Sequence, residues 1–153
     1  MTYAIARENG SENLSELFPL YATHYQEMQE RLASDGIVVS PFNPQIDAYI
    51  AQWEAGTLLN YTVRHEGRAV GYSNVYLARD MHNSDLIAQE DTIFVLKEHR
   101  NGVGRRLVRF VLADLKERGV KRAYVTAMTD LRVAPIWQRM GFKPAATAMI
   151  YTF

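Results

Sequence analysis

Gly102-Val103-Gly104, followed at once by Arg105 and Arg106, is the segment of this chain best suited to chemistry. Glycines let backbone N–H groups approach an anion closely, and the start of a helix adds partial positive charge to them. The stretch from Asp91 to Phe110, DTIFVLKEHRNGVGRRLVRF, reads as a strand running into that turn and a helix leaving it. Together they make a place to hold a pyrophosphate. A plain turn ahead of a helix contains glycine just as readily, so the charges decide. Residues 97–122 hold nine Lys/Arg against three Asp/Glu, whereas the rest of the chain holds 8 basic and 14 acidic residues. A basic lobe on a neutral protein suits a polyanionic small molecule better than a polymer. Arg105 and Arg106 stand in the first helical turn, where cations oppose the macrodipole unless an anion is present. Lys116, Arg118, Lys121 and Arg122 read instead as a solvated face. Two other phosphate motifs are excluded: Leu107 stands where a dinucleotide fingerprint needs its third glycine, and no Gly-Lys-Ser/Thr is present for a P-loop.

Composition narrows the alternatives. The 153 residues fit one domain, 1–153, with no repeat or Pro/Gly/Ser-rich linker dividing them. Seventeen basic and seventeen acidic side chains cancel, which gives no global pull toward nucleic acid or membrane. The absence of cysteine removes a disulfide scaffold, a thiolate nucleophile and a zinc–thiolate site together. The four histidines lack ligand spacing, so no metal is expected. No apolar run approaches the roughly eighteen residues of a membrane span. The first twenty residues lack the basic and apolar regions of a secretory signal, and a cytoplasmic setting is expected.

The elements that must position the turn follow from periodicity. A first strand is expected over 2–6. Leu14, Leu17, Phe18, Tyr21, Tyr25, Met28 and Leu32 share a helical face, which predicts a helix over 12–34, with Pro19 as a kink or the true first turn. Asn43-Pro44 reads as the cap and first residue of a second helix, 44–55, that Gly56 ends. Alternating Leu59, Tyr61 and Val63, a Glu66-Gly67 turn, and strands over 70–78 and 87–96 come next. The helix after Gly104 is closed by Gly119. Then come a strand over 123–128, a short helix over 132–140 closed by Gly141, and a last strand over 143–153. The expected class is α+β, order β-α-α-β-β-β-α-β-α-β, with a mixed, mostly antiparallel twisted sheet and helices on both faces.

The strand "IFV", the turn HRNGVG with its helix, and the later IWQRMGF resemble the GCN5-related N-acetyltransferases. That family shows Gln/Arg-x-x-Gly-x-Gly/Ala after its fourth strand and an aromatic-x-x-x-Gly-Phe near its next helix. The match is clearest over 87–145, and the layout of the preceding elements extends it to nearly the whole chain. FPLYATHYQEM, MHNSDLIAQEDTIFV and KEHRNG are similar, more loosely, to a subgroup of phage and prophage genomes.

The resemblance implies transfer of an acetyl group from acetyl-CoA to a primary amine of a small molecule or protein, by direct attack in a ternary complex. Backbone amides around His99, Arg100, Asn101, Gly102, Val103, Gly104, Arg105 and Arg106 would cradle the pyrophosphate. The pantetheine arm would run along Phe94, Val95 and Leu96, in a slot opened by a bulge in that strand. A backbone N–H near Phe94 or Val95 would polarise the thioester carbonyl. The chain also departs from the family pattern. His99 stands where the family has Gln or Arg, with Arg100 one place late. Trp137 stands at the position of the family's tyrosine acid and is expected to pack against the cofactor; Asp130 replaces an asparagine. Eleven residues follow Phe142, too few for two long closing strands, which leaves an edge open for a partner subunit such as a second copy of the chain.

A general base beside the thioester would deprotonate the acceptor amine. Glu90 and Asp91 point to opposite faces of their strand, and counting by twos puts Asp91 with Ile93 and Val95, which favours Asp91. Tyr151 is a candidate acid. His24 and Glu27, one helical turn apart, and His82, ahead of the fourth strand, are candidates to line the acceptor slot. Tyr21, Tyr25, Tyr49 and Trp53 read as core. The competing reading is a catalytically degenerate domain that binds CoA and works through protein interaction. Acetylation of aminoacyl-tRNA is disfavoured by the neutral charge.

Overall fold

In a computed structural model, which describes residues 2–127 and 133–153, the chain runs β1 (Tyr3–Glu8), α1 (Gly10–Ser34), α2 (Ile46–Ala55), β2 (Leu58–His65), β3 (Arg68–Arg79), β4 (Leu86–Val95), α3 (Val103–Glu117), β5 (Arg122–Tyr124) and α4 (Val133–Arg139). The sheet order is β1-β2-β3-β4-β5. Every neighbouring pair is antiparallel except β4 and β5, which are parallel and joined by the α3 crossover. Helices cover both faces. Leu107, Val111 and Leu115 of α3 pack on Tyr61, Val63, Val75 and Val95 on one side. Leu17, Leu20 and Tyr21 of α1 and Trp53 of α2 pack on Leu58, Tyr72 and Phe94 on the other. The α+β class, the mostly antiparallel sheet and the two helical layers are as the sequence predicts.

Local chemistry sets the boundaries. Asn9 caps α1, its Oδ1 accepting the Ser11 N–H at 3.1 Å, so the helix starts at Gly10 rather than 12. It continues through Pro19. Helix α2 starts at Ile46, later than the expected Pro44, because the Ile46 N–H turns back to the Pro44 carbonyl at 3.0 Å. Gly56 ends it at φ 74°, as expected. Glu66 and Gly67 both take positive φ, 49° and 79°, and close a two-residue hairpin between His65 and Arg68. The alternation in β2 leaves no wet face. Asn60 and Thr62 are buried under α1, where the Asn13 amide donates to both and the Asn60 amide donates to Asn74 at 2.9 Å.

Two expectations are corrected. The strand expected over 123–128 pairs over Arg122–Tyr124 and is not continued over 125–127, Met128 lying outside the described residues. The last strand, expected over 143–153, is not formed: the segment has no sheet partner among the described residues, and Met149 and Tyr151 are exposed. β-Propensity becomes a strand only where a neighbour and a buried face are available.

Candidate active site

Strand β4 carries the geometry that matters. Its register against β3 slips between Asn74↔Thr92 and Val75↔Glu90, which leaves Asp91 as the extra residue of a β-bulge. On the other side, β5 pairs with Ile87, Ala88 and Gln89 and then stops. Among the described residues no strand pairs with that edge of β4 from Glu90 to Val95, and it stands open. Leu96 N–H donates to Val70 C=O at 2.9 Å, which fixes the antiparallel alternation. The backbone groups of Phe94 and Leu96 face β3, and those of Ile93 and Val95 face the open edge. Arg100 Nε donates to the Val95 carbonyl at 2.8 Å, from that side.

The glycine turn lies at the end of this edge. Gly102 takes φ 98°, a conformation costly for other residues, and α3 begins without a side-chain cap and without an acid in its first turn. A Cβ on Gly102 would meet nothing within 4 Å, and one on Gly104 would meet only Val95 Cγ2 at 3.9 Å. The start of α3 is thus a row of uncapped amides with open space in front, flanked by exposed Arg105 and Arg106. The start of α1 is the opposite case, closed by Asn9 and Glu12.

The neighbouring side chains are accounted for differently than the sequence suggests. His99 turns away to the Tyr3 hydroxyl, 3.1 Å from Nδ1, and packs on the His65 ring; Asn101 donates to the same hydroxyl. Arg100 reaches Glu27 of α1 at 2.7 Å and lies over the Phe94 ring. His24 stacks on Phe94 and contacts the Tyr72 hydroxyl at 3.0 Å, and burial lowers its pKa. Glu27 and His24 therefore sit above the end of β4. His82 lies exposed in the turn at the other end of the β3–β4 hairpin, its N–H on Asp80. Tyr151 is 81% exposed with its ring on Phe153, and no contact joins it to β4. Asp130 lies outside the described residues.

The bulge reverses the parity expected for the two carboxylates. Ala88, Glu90 and Ile93 face α3 and, with Val108, Val111 and Trp137, line a cavity where β4 and β5 part. Asp91 instead shares the α1–α2 face with Phe94, and its carboxylate accepts the Tyr49 hydroxyl at 3.1 Å. Burial pushes Glu90 up to about 7, with the Thr126 N–H opposing and Asp91 adding to the rise. Burial also raises Asp91, with Tyr49 opposing. Neither meets a cation among the described residues. Glu8, Glu27, Asp80, Asp85 and Asp114, by contrast, each meet an arginine. Trp137 packs on Phe142, and its indole N–H is buried without an acceptor among the described residues.

Residues 18–142 match the acetyltransferase (GNAT) family. The chain belongs to it. Solved structures agree on the fold over essentially the whole length. A GCN5-related N-acetyltransferase from Ralstonia eutropha matches at TM-score 0.76 and 18% identity, covering 99% of each chain. An aminoglycoside acetyltransferase from an uncultured soil metagenomic sample matches at TM-score 0.76 and 16% identity, covering 100% of this chain and 99% of that one. A ribosomal-protein-alanine N-acetyltransferase from Brucella melitensis biovar Abortus 2308 matches at 0.74 and 16%, covering 99% of each chain. No curated protein matches the chain.

Four residues around Asp91 escape a sequence reading. Tyr21 and Tyr49 read as core, and Tyr72 and Tyr76 as ordinary strand residues. The available signal is that Tyr72 and Tyr76, four apart on a strand, share one face.

Proposed function

We propose that this GNAT protein transfers an acetyl group from acetyl-CoA to a primary amine, with the cofactor along the open edge of β4 and its pyrophosphate at the start of α3. The observation that carries this reading is the parting of β4 from β5 beside an uncapped, acid-free helix start. The residues present fit such a ligand. The α3 amides and Arg105 and Arg106 suit phosphate oxygens. The backbone groups of Ile93 and Val95 suit the amides of an extended arm, and the orphaned Trp137 N–H suits a carbonyl in the slot. Bound acetyl-CoA supplies the activated acyl group. The Val95 N–H, facing the slot, is placed to donate to the acyl oxygen. Glu90 takes the role of base: it lines the slot and, raised to about 7, is partly ionised near neutral pH, so its carboxylate form can accept a proton from the amine and return it to solvent.

Calorimetric titration of the purified chain with acetyl-CoA tests the placement. Saturable binding that weakens roughly tenfold or more in Gly102→Asp, which puts a carboxylate before the α3 amides, is the expected result. Unchanged affinity in that variant would remove the pyrophosphate from this turn. Absence of binding to folded wild-type protein would favour an interaction domain without the cofactor.

A further inference from the structure

Asp91 lies in surroundings that a structural carboxylate does not need. The Tyr49 hydroxyl lies 3.1 Å from its carboxylate, and four phenols, Tyr21, Tyr49, Tyr72 and Tyr76, have their pKa raised by burial with the Asp91 charge adding to each rise. The Tyr21 ring stacks on Tyr49 at 6.5 Å and meets Tyr72 edge-on at 4.5 Å. The Tyr21 hydroxyl is buried beside the Asn74 amide without a well-formed hydrogen bond. The Tyr49 hydroxyl donates to Asp91, and Tyr76 lies next to Tyr49. Asp91, Tyr49 and Tyr76 stay partly exposed, whereas Tyr21 and Tyr72 are buried in the core behind them. No guanidinium or ammonium of the described residues enters this recess. Arg100, at the end of the same strand, is engaged by Glu27 and the Val95 carbonyl. His24, beside Tyr72, has its pKa lowered by burial, which disfavours its charged form.

A carboxylate in a half-dry aromatic recess is costly unless a cation completes it, and electron-rich rings around it favour a cation further. We infer that Asp91, Tyr21, Tyr49, Tyr72 and Tyr76 form a recess for an alkylammonium group of the acceptor. This rests on the acetyl-transfer reading only in calling the bound amine an acceptor. An ammonium clamped by a carboxylate keeps its proton and cannot attack an acyl group. The nitrogen that reacts is therefore a second one, served by Glu90 on the opposite face of the same strand. The acceptor class is an amine with at least two basic nitrogens.

The test starts without cofactor, by calorimetric titration of the full chain with 1,4-diaminobutane, n-butylamine and 1-butanol at neutral pH. Both amines are expected to bind saturably and the alcohol not to bind. Asp91→Asn, which keeps the shape and removes the charge, should weaken amine binding roughly tenfold or more. Tyr49→Phe, which removes one hydroxyl, should weaken it about threefold. Amines that bind no better than the alcohol, or undiminished binding by folded Asp91→Asn protein, would overturn the recess. With acetyl-CoA added, 1,4-diaminobutane should release free CoA, and n-butylamine should compete with it without being acetylated. Acetylation of n-butylamine at the diamine's rate would overturn the two-nitrogen requirement. Amine binding to protein that ignores acetyl-CoA would uphold the recess and count against the acetyl-transfer reading alone.

Discussion

Arg64 and the middle of β4 show one sheet treating its carboxylates in opposite ways. Arg64 grips Glu8 through Nε and Nη2 at 2.8 and 3.0 Å, and Glu16 through Nη1 and Nη2 at 2.7 and 2.9 Å. Hydrogen bonds from this guanidinium hold both acids below their ordinary range. Glu90 and Asp91, two strands away, have no such partner among the described residues and are pushed the other way by burial. The first arrangement ties β1, α1 and the β2–β3 hairpin together. The second receives, among the described residues, only the Tyr49 hydroxyl and the Thr126 N–H, and burial of its charges lowers stability at neutral pH. Acids left uncompensated where a strand edge opens fit chemistry better than folding.

The largest expected effect falls on the unpaired side. Glu90→Gln should lower turnover by about 100-fold or more while acetyl-CoA binding is retained, as measured by steady-state release of CoA. Equal turnover would move the base elsewhere.

Stability measurements should separate the two regions next. Arg64→Ala leaves the half-buried Glu8 and the exposed Glu16 without their cation and should cost about 1–2 kcal/mol in urea denaturation at pH 7, more than an ordinary surface pair. Because the pKa values of Glu8 and Glu16 are lowered in the fold, their contribution is present at neutral pH and lost as the pH falls. The cost of Arg64→Ala should therefore shrink toward pH 3.

Glu90→Gln should have the reverse profile. A carboxyl raised in the fold stabilises below its ordinary range, and that stabilisation fades as the pH rises through about 7. The glutamine variant should match wild type near pH 4 and exceed its stability by about 1–2 kcal/mol at pH 8. A loss of stability at pH 8 would mean that Glu90 has a cation partner.

Most of this framework is legible in the chain, and the exceptions share a cause. The apolar spacing of Leu107, Val108, Val111 and Leu115 gives α3, and Gly102-Val103-Gly104 gives its start, because both are local signals. The family resemblance implies a bulge in the fourth strand, and the structure has one at Asp91. Counting by twos fails across that bulge, so Asp91 moves to the face of Phe94 and Glu90 keeps company with α3. The tyrosine ring is illegible for another reason: Tyr49 and Asp91 meet across 42 residues of sequence. The Arg64 grip on Glu8 spans 56. The expected last strand fails because propensity was read without a neighbour to pair with.

The claim on which the comparison rests is that Glu90 is held without a counterion where β4 and β5 part. Its direct measurement is the carboxyl-carbon NMR titration of the uniformly labelled chain, with Glu90→Gln to assign the resonance. The account predicts that Glu90 titrates near pH 7, apart from Glu8 and Glu16, which titrate below the ordinary range. A Glu90 resonance that titrates near pH 4 would contradict it.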